Sequence, residues 1–193
     1  MLQHMPAFVG QALRASRSGL EKLTINRPEF LGIRSSVIIA SPAFQDAEAI
    51  PRKYTADGDG LSPPLSWEGV APTQPAILII EDADSPTPSP LVHAIVLGLP
   101  TLEHALREGA LPSPASAGDN LKMGRNSYLK TTYLPPDPPP GHGPHRYAFQ
   151  IFVLEESLAT ENGIGRSKLI DLLRGRVRAK GCLIGSYERP HHG

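Results

Sequence analysis

Cysteine is almost missing from this 193-residue chain, where Cys182 stands alone. One thiol excludes an intrachain disulfide and a cysteine-based metal site. It points to a reducing, cytoplasmic setting. Net charge is missing as well: 19 Lys and Arg offset 19 Asp and Glu. A balanced surface argues against nucleic acid, and against an anionic membrane, as the main partner. Any preference for anions must therefore be built locally. No apolar run approaches the ~18 residues of a membrane-crossing helix, so no membrane insertion is expected. Arg14 and Arg17 follow the apolar residues of the first segment, the reverse of a secretory leader. There is no internal repeat.

Proline, by contrast, is abundant, with 21 residues. A helical bundle would be broken by so many, whereas a loop-rich β protein accommodates them. The length suits one domain with its own core, or one domain plus an appendage. Residues 6–18 place Phe8, Val9, Ala12 and Leu13 on one helical face, with Pro6 at the start and Gly19 as a stop. The expected organisation is an N-terminal helical extension over 1–30 and a β domain over 31–193. The extension would either pack on a partner subunit or cover the domain's own sheet.

Apolar, β-branched runs predict strands at 36–40, 76–81, 92–97, 147–154 and 182–187. Residues 51–70 are polar and turn-rich, and 102–107 has room for a short helical turn. A helix is expected over 167–178, N-capped by Ser167 and ended by Gly181. The proline-rich stretch 133–146 runs directly into a strand, which marks it as a functional loop rather than a linker. Strands do not alternate with helices, so a doubly wound parallel sheet is excluded. A mainly antiparallel β-sandwich with peripheral helices is the expected architecture.

Two polar clusters flank buried strands. Asp82, Asp84 and Ser85 follow AILIIE, and His145, Arg146 and Tyr147 open YAFQIFVL. His93 sits inside a third apolar strand. A buried imidazole needs a partner, and an aspartate could fix its tautomer. Read singly, His93 is a satisfied core histidine and the aspartates are turn formers. Read together, they are a binding site.

Several stretches, in order, resemble the phosphatidylethanolamine-binding protein family, most closely its bacterial Raf kinase inhibitor-like branch. They are Tyr54-Thr55-Ala56-Asp57-Gly58 with Ser62 to Trp67, Asp82-Ala83-Asp84-Ser85-Pro86, His93, Tyr133 to Pro139 with His145-Arg146-Tyr147, and Leu183 to Arg189. The resemblance implies a large antiparallel sheet packed on a smaller one. At one edge it implies a pocket for phosphate, phosphorylethanolamine or a similar anion. Carried over position by position, that pocket contains Asp82, Asp84, His93, His145 and Tyr147, with Pro86 and Pro136 shaping its wall.

The chain departs from the pattern at Ala56, Ala83, Ser85, Leu91 and Ala94. Leu91 and Ala94 stand where tryptophans are frequent, which would open the pocket. In such a pocket an aspartate would orient a histidine, hold an ammonium group, or donate to the anion while protonated. The orienting role is preferred. No cofactor is expected.

Three other functions remain open on the residues alone. A hydrolase would use Ser85 or Ser89 with His93 or His145, but no Gly-x-Ser-x-Gly elbow exists. A metal site would use His142 and His145, or His191 and His192. A regulator of a kinase or protease would bind a protein partner that these residues do not identify. A homodimer is compatible with the N-terminal helix.

Overall fold

The computed structural model describes residues 6–100, 102–158 and 162–190. The elements in chain order are α1 (Ala7–Leu13), β1 (Arg34–Ser35), β2 (Ile38–Ala40), β3 (Leu65–Glu68), β4 (Ala76–Asp82), β5 (Leu91–Val96), β6 (Ala105–Leu106), β7 (His145–Leu154), α2 (Arg166–Leu173) and β8 (Val177–Tyr187). A five-stranded sheet runs β1-β8-β7-β4-β5, and a three-stranded sheet runs β2-β3-β6. Every ladder is antiparallel except β1 with β8.

The continuous apolar runs are explained by burial of the large sheet on both faces. Ala76, Leu78 and Ile80 of β4 join Tyr147, Phe149, Ile151 and Val153 of β7 against the small sheet. The alternate residues Ile77 and Ile79 join Ala148 and Phe152 on the other face, under α2 and residues 23–30. The strand period of two thus splits one run between two cores.

Residues 23–30 cover the chain's own sheet, where the sequence left open a partner subunit. Leu23, Ile25 and Phe30 are buried there, with the Phe30 ring 5.3 Å from that of Phe152. Two buried charges hold the segment down. Glu81, fully buried in β4, accepts from the Thr24 amide and hydroxyl, Gln150 Nε2 and Arg166 Nε. Lys180 Nζ donates to the Ile25 and Phe30 carbonyls. Such groups are tolerated in a core only when their hydrogen bonds are complete.

Three expectations about elements are corrected. The face of α1 expected to be apolar and buried is largely exposed, and Gly10 is the helix residue that packs. A Cβ at Gly10 would meet Pro140 O at 2.0 Å, so backbone contact replaces side-chain contact there. The late helix starts at Arg166 with Gly165 as its N-cap and stops at Leu173. Gly181 lies inside β8, not at a helix end; a side chain there would sit 2.1 Å from Val37 O, so the strand needs glycine. Residues 102–104 form a turn that leads into the short strand β6 rather than a helix.

Candidate functional site

β4 ends where β5 and β7 begin, because all three are antiparallel neighbours. Their polar residues therefore gather at one end of the sheet. Asp82 is paired across the ladders with Leu91 and Tyr147. A cavity of about 370 Å³ opens there, lined by Asp82, Pro86, His93, Tyr128, Asp137 and His145 among others. The proline-rich loop supplies the opposite wall.

Asp82, His145 and His142 form a buried chain. Asp82 Oδ2 lies 2.7 Å from His145 Nδ1, and His145 Nε2 lies 2.7 Å from His142 Nδ1. His142 Nε2 reaches the carbonyls of Leu13, at 2.9 Å, and Ser16, at 3.2 Å. A carbonyl only accepts, so His142 Nε2 carries a hydrogen. Each of the two remaining contacts needs one hydrogen of its own. One aspartate and two imidazoles with three protons are jointly neutral. That is one proton more than an ionised aspartate beside two neutral histidines. Burial, and the neighbouring His145, hold the His142 pKa below its ordinary value.

His93 is different. Its Nδ1 lies 2.6 Å from Leu134 O and must donate to it, while its Nε2 is buried with no partner. Burial lowers its pKa, against the pull of Asp82, so the ring is neutral and Nε2 presents a lone pair. Tyr147 packs behind both histidines, edge-on to His93 at 5.1 Å and stacked on His145 at 6.4 Å. Its hydroxyl is also buried and unpartnered. Burial pushes its pKa well above the ordinary phenol value, so it stays protonated.

A family model described as phosphatidylethanolamine-binding protein matches residues 40–188. A UPF0098 protein of Aquifex aeolicus is 34% identical over 172 residues, covering 88% of this chain and 99% of that protein. Another, from Pyrococcus abyssi, is 33% identical and covers 79% and 86%. The chain belongs to the phosphatidylethanolamine-binding protein family. A solved structure of a phosphatidylethanolamine-binding protein homologue from Chlamydia trachomatis superposes with TM-score 0.72 at 32% identity, over 81% of this chain and 99% of that one. An Escherichia coli member of the mammalian family shares the fold at TM-score 0.70 and 22% identity, over 81% and 100%.

In this member of the family the expected site residues separate into two groups. Asp82, Pro86, His93 and His145 line the cavity, and Tyr147 backs it. Asp84 does not reach it. Its carboxylate turns away to the Arg146 amide and guanidinium and to Arg17. Burial alone would raise its pKa, but those cations hold it at about 2. The reason is local: β4 ends at Asp82, so the alternation that would place Asp82 and Asp84 on one face is broken by a turn. Pro136 is likewise not on the cavity surface; its carbonyl accepts from Ala56 N, and Pro135 and Asp137 face the cavity on either side. Asp84 and Pro136 are therefore supports rather than walls.

Asp137 and Tyr128 line the cavity and were not foreseen there, and His142, expected only in a metal-site alternative, instead bonds His145 from outside the lining. The only sequence signal for His142 is its spacing from His145 in a glycine-rich loop. Asp137 is bonded to Arg189, which also binds Asp57 and Pro138 O, tying the segment just after β8 to the loop. Leu91 lines the cavity, as do Ala56 and Ser85, whereas Ala94 is packed in the core, so of the two positions where tryptophan was expected only Leu91 bears on the wall. Ser85 Oγ is engaged by Ser18, Thr87 and Leu91 N, and no histidine contacts it. A serine–histidine pair for hydrolysis is thus not assembled there. Among the described residues, no group of three or more His, Cys, Asp or Glu is arranged for a metal ion, and no helix is long and apolar enough to cross a membrane. His191 and His192 lie outside the described residues.

Proposed function

We propose that the cavity binds a small ligand by a phosphate-type head group, and that protons balance its charge. One observation carries the reading: His93 Nε2 is buried and unpartnered in the cavity wall. An unpaired buried polar atom costs about 1–3 kcal/mol, which a ligand would relieve. No Lys or Arg lines the cavity, while Asp59, Asp82 and Asp137 do. A bare dianion would be repelled. A hydrogen phosphate can instead donate its own hydroxyl to His93, or transfer the proton and accept the hydrogen bond back. Either way an anion beside His93 raises its basicity. Asp59, exposed at the rim, suits the ammonium end of a zwitterion such as phosphorylethanolamine.

Titration calorimetry of phosphate and phosphorylethanolamine, in buffers of different ionisation enthalpy, tests this. Binding is expected with proton uptake, and to tighten as pH falls until the ligand itself is protonated. His93→Leu is expected to abolish it. Absence of binding at any pH near neutrality, or equal binding by the variant, would sink the reading. A reducing cytoplasmic setting fits Cys182 as the only thiol.

A further inference from the structure

A second concavity, of about 720 Å³, lies across the Leu91–Tyr128 ridge from the cavity; both residues line both. Its charged lining is Arg27, Arg166, Arg174 and Asp171. Asp171 Oδ1 lies 3.4 Å from Arg174 Nη1 within the lining, and the other two carboxylates that pair with these arginines lie outside it. Glu29 Oε1 takes Nη2 of both Arg27 and Arg174, at 3.1 and 2.9 Å, and Glu81 takes Arg166 from inside the sheet. Neither glutamate is part of the groove surface. Three arginines against one carboxylate give the groove lining an excess of positive charge within a chain of zero net charge. The guanidiniums are also incompletely used. Arg27 Nε is buried without an acceptor and Glu29 Oε2 without a donor, so this ion pair is not closed on itself. Sharing Glu29 holds two of the three side by side, so their geometry is preset.

We propose that this groove is a binding site for an extended acidic peptide, whose carboxylates are read by Arg27, Arg166 and Arg174. Guanidinium forks match carboxylate geometry. A small anion would leave the rest of the groove unused, because it also has an apolar wall of Pro88, Pro90, Val92 and Ile170. A peptide alternating acidic and apolar side chains answers both. It would dock by side chains and not as an added strand. The open edge of β5 is already taken, since Val92 bonds Ser127 in both directions and Ile95 O accepts Gly124 N. The proposal does not depend on what the neighbouring cavity binds.

The probe is a dye-labelled peptide, Gly-Glu-Val-Glu-Gly-Glu-Gly, titrated against the whole protein at low salt and read by anisotropy. Binding is expected, with roughly tenfold loss for the twin carrying glutamine at each glutamate, and weakening as salt rises. Arg174 is half-exposed, so Arg174→Glu leaves the fold intact and is expected to cost at least about tenfold. Asp171→Asn, which removes the one carboxylate on the surface, is expected to tighten binding. Phosphate affinity in the cavity should be unchanged in both variants. Equal affinity of the two peptides, or no effect of Arg174→Glu, overturns the proposal. So does citrate binding in place of the peptide, which would assign the groove to small polycarboxylates.

Discussion

The cavity and the groove share a wall and solve opposite electrostatic problems. The cavity shows three aspartates and no lysine or arginine, while the groove shows three arginines and one aspartate. In the cavity, charge is managed by protons: the Asp82–His145–His142 chain is neutral as a unit, and His93 is a neutral acceptor. In the groove, three arginines outnumber the one lining carboxylate, Asp171, while their partners Glu29 and Glu81 lie outside the lining. Overall neutrality therefore says nothing of local fields. Two ligand chemistries can sit a residue apart on a chain whose formal charge is zero.

The sharpest way to break the contrast is to remove the acid that anchors the proton chain. Asp82→Ala leaves two buried histidines without their carboxylate, and breaking a buried pair costs about 3–5 kcal/mol. Denaturant unfolding should show that loss, and calorimetry should show no phosphate binding. Peptide binding in the groove should survive wherever the variant is folded. Retained phosphate affinity would mean that the chain does not serve the cavity.

Asp84 comes next, as the supporting carboxylate beside the cavity. Its pKa is about 2 in the folded protein against roughly 3.9 in an unfolded chain. A depressed carboxylate stabilises the fold above the unfolded value and ceases to do so as pH falls through the folded one. The loss should therefore fall between about pH 4 and pH 2, and amount to about 2 kcal/mol. His93 adds an earlier acid step with the same sign. Its folded pKa is lowered, so its contribution is present above its ordinary value, roughly 6.5, and fades as pH falls below it. Added phosphate should oppose this earlier loss and leave the Asp84 step unchanged. Urea midpoints against pH, in wild type and Asp84→Asn, separate the two.

These predictions also mark what the sequence could convey. β4, β5 and β7 were legible because burial on both faces leaves unbroken apolar runs. The first half of β8 was not, because Arg178, Lys180 and Gly181 look like a helix terminus until Lys180 is seen holding Ile25 and Phe30. Asp82, His93 and His145 were legible as polar residues where apolar ones belong. Asp84 misled because β4 ends two residues before it, at Asp82. His142 depends on carbonyls 129 and 126 positions away, and no spacing rule reaches so far. Arg166 and Arg174 sit at the two ends of α2 while Arg27 comes from a distant segment, so the three form no motif before folding.

His142 offers a gentler perturbation. His142→Leu removes the far end of the proton chain and the tether to α1, which Arg17 alone then holds through the His142 and Pro144 carbonyls. His145 Nε2 would be left without its hydrogen-bond partner. Phosphate binding should weaken roughly tenfold at neutral pH and recover partly at lower pH, as for loss of one hydrogen bond to a charged group. Proteolysis within residues 7–17 should quicken. A pH profile identical to wild type would show His142 to be a packing residue only.

The smallest effect should come from the shared ridge, and it should have opposite signs on its two sides. Leu91 is half-buried and lines both concavities. Leu91→Trp places a larger, flat surface at that point. On the cavity side the ring adds an apolar wall, and a cationic head group held near it gains roughly 0.5–1 kcal/mol from the ring face. Phosphorylethanolamine should then tighten a few-fold relative to inorganic phosphate, which has no ammonium to place there. On the groove side the same ring occupies space beside Tyr128, and the acidic peptide should weaken by a similar factor. Measured together in one variant, the two titrations test whether the ridge separates two sites. If both affinities moved in the same direction, Leu91 would be acting through the shape of a single continuous site, and the division into an acid cavity and an arginine groove would have to be withdrawn.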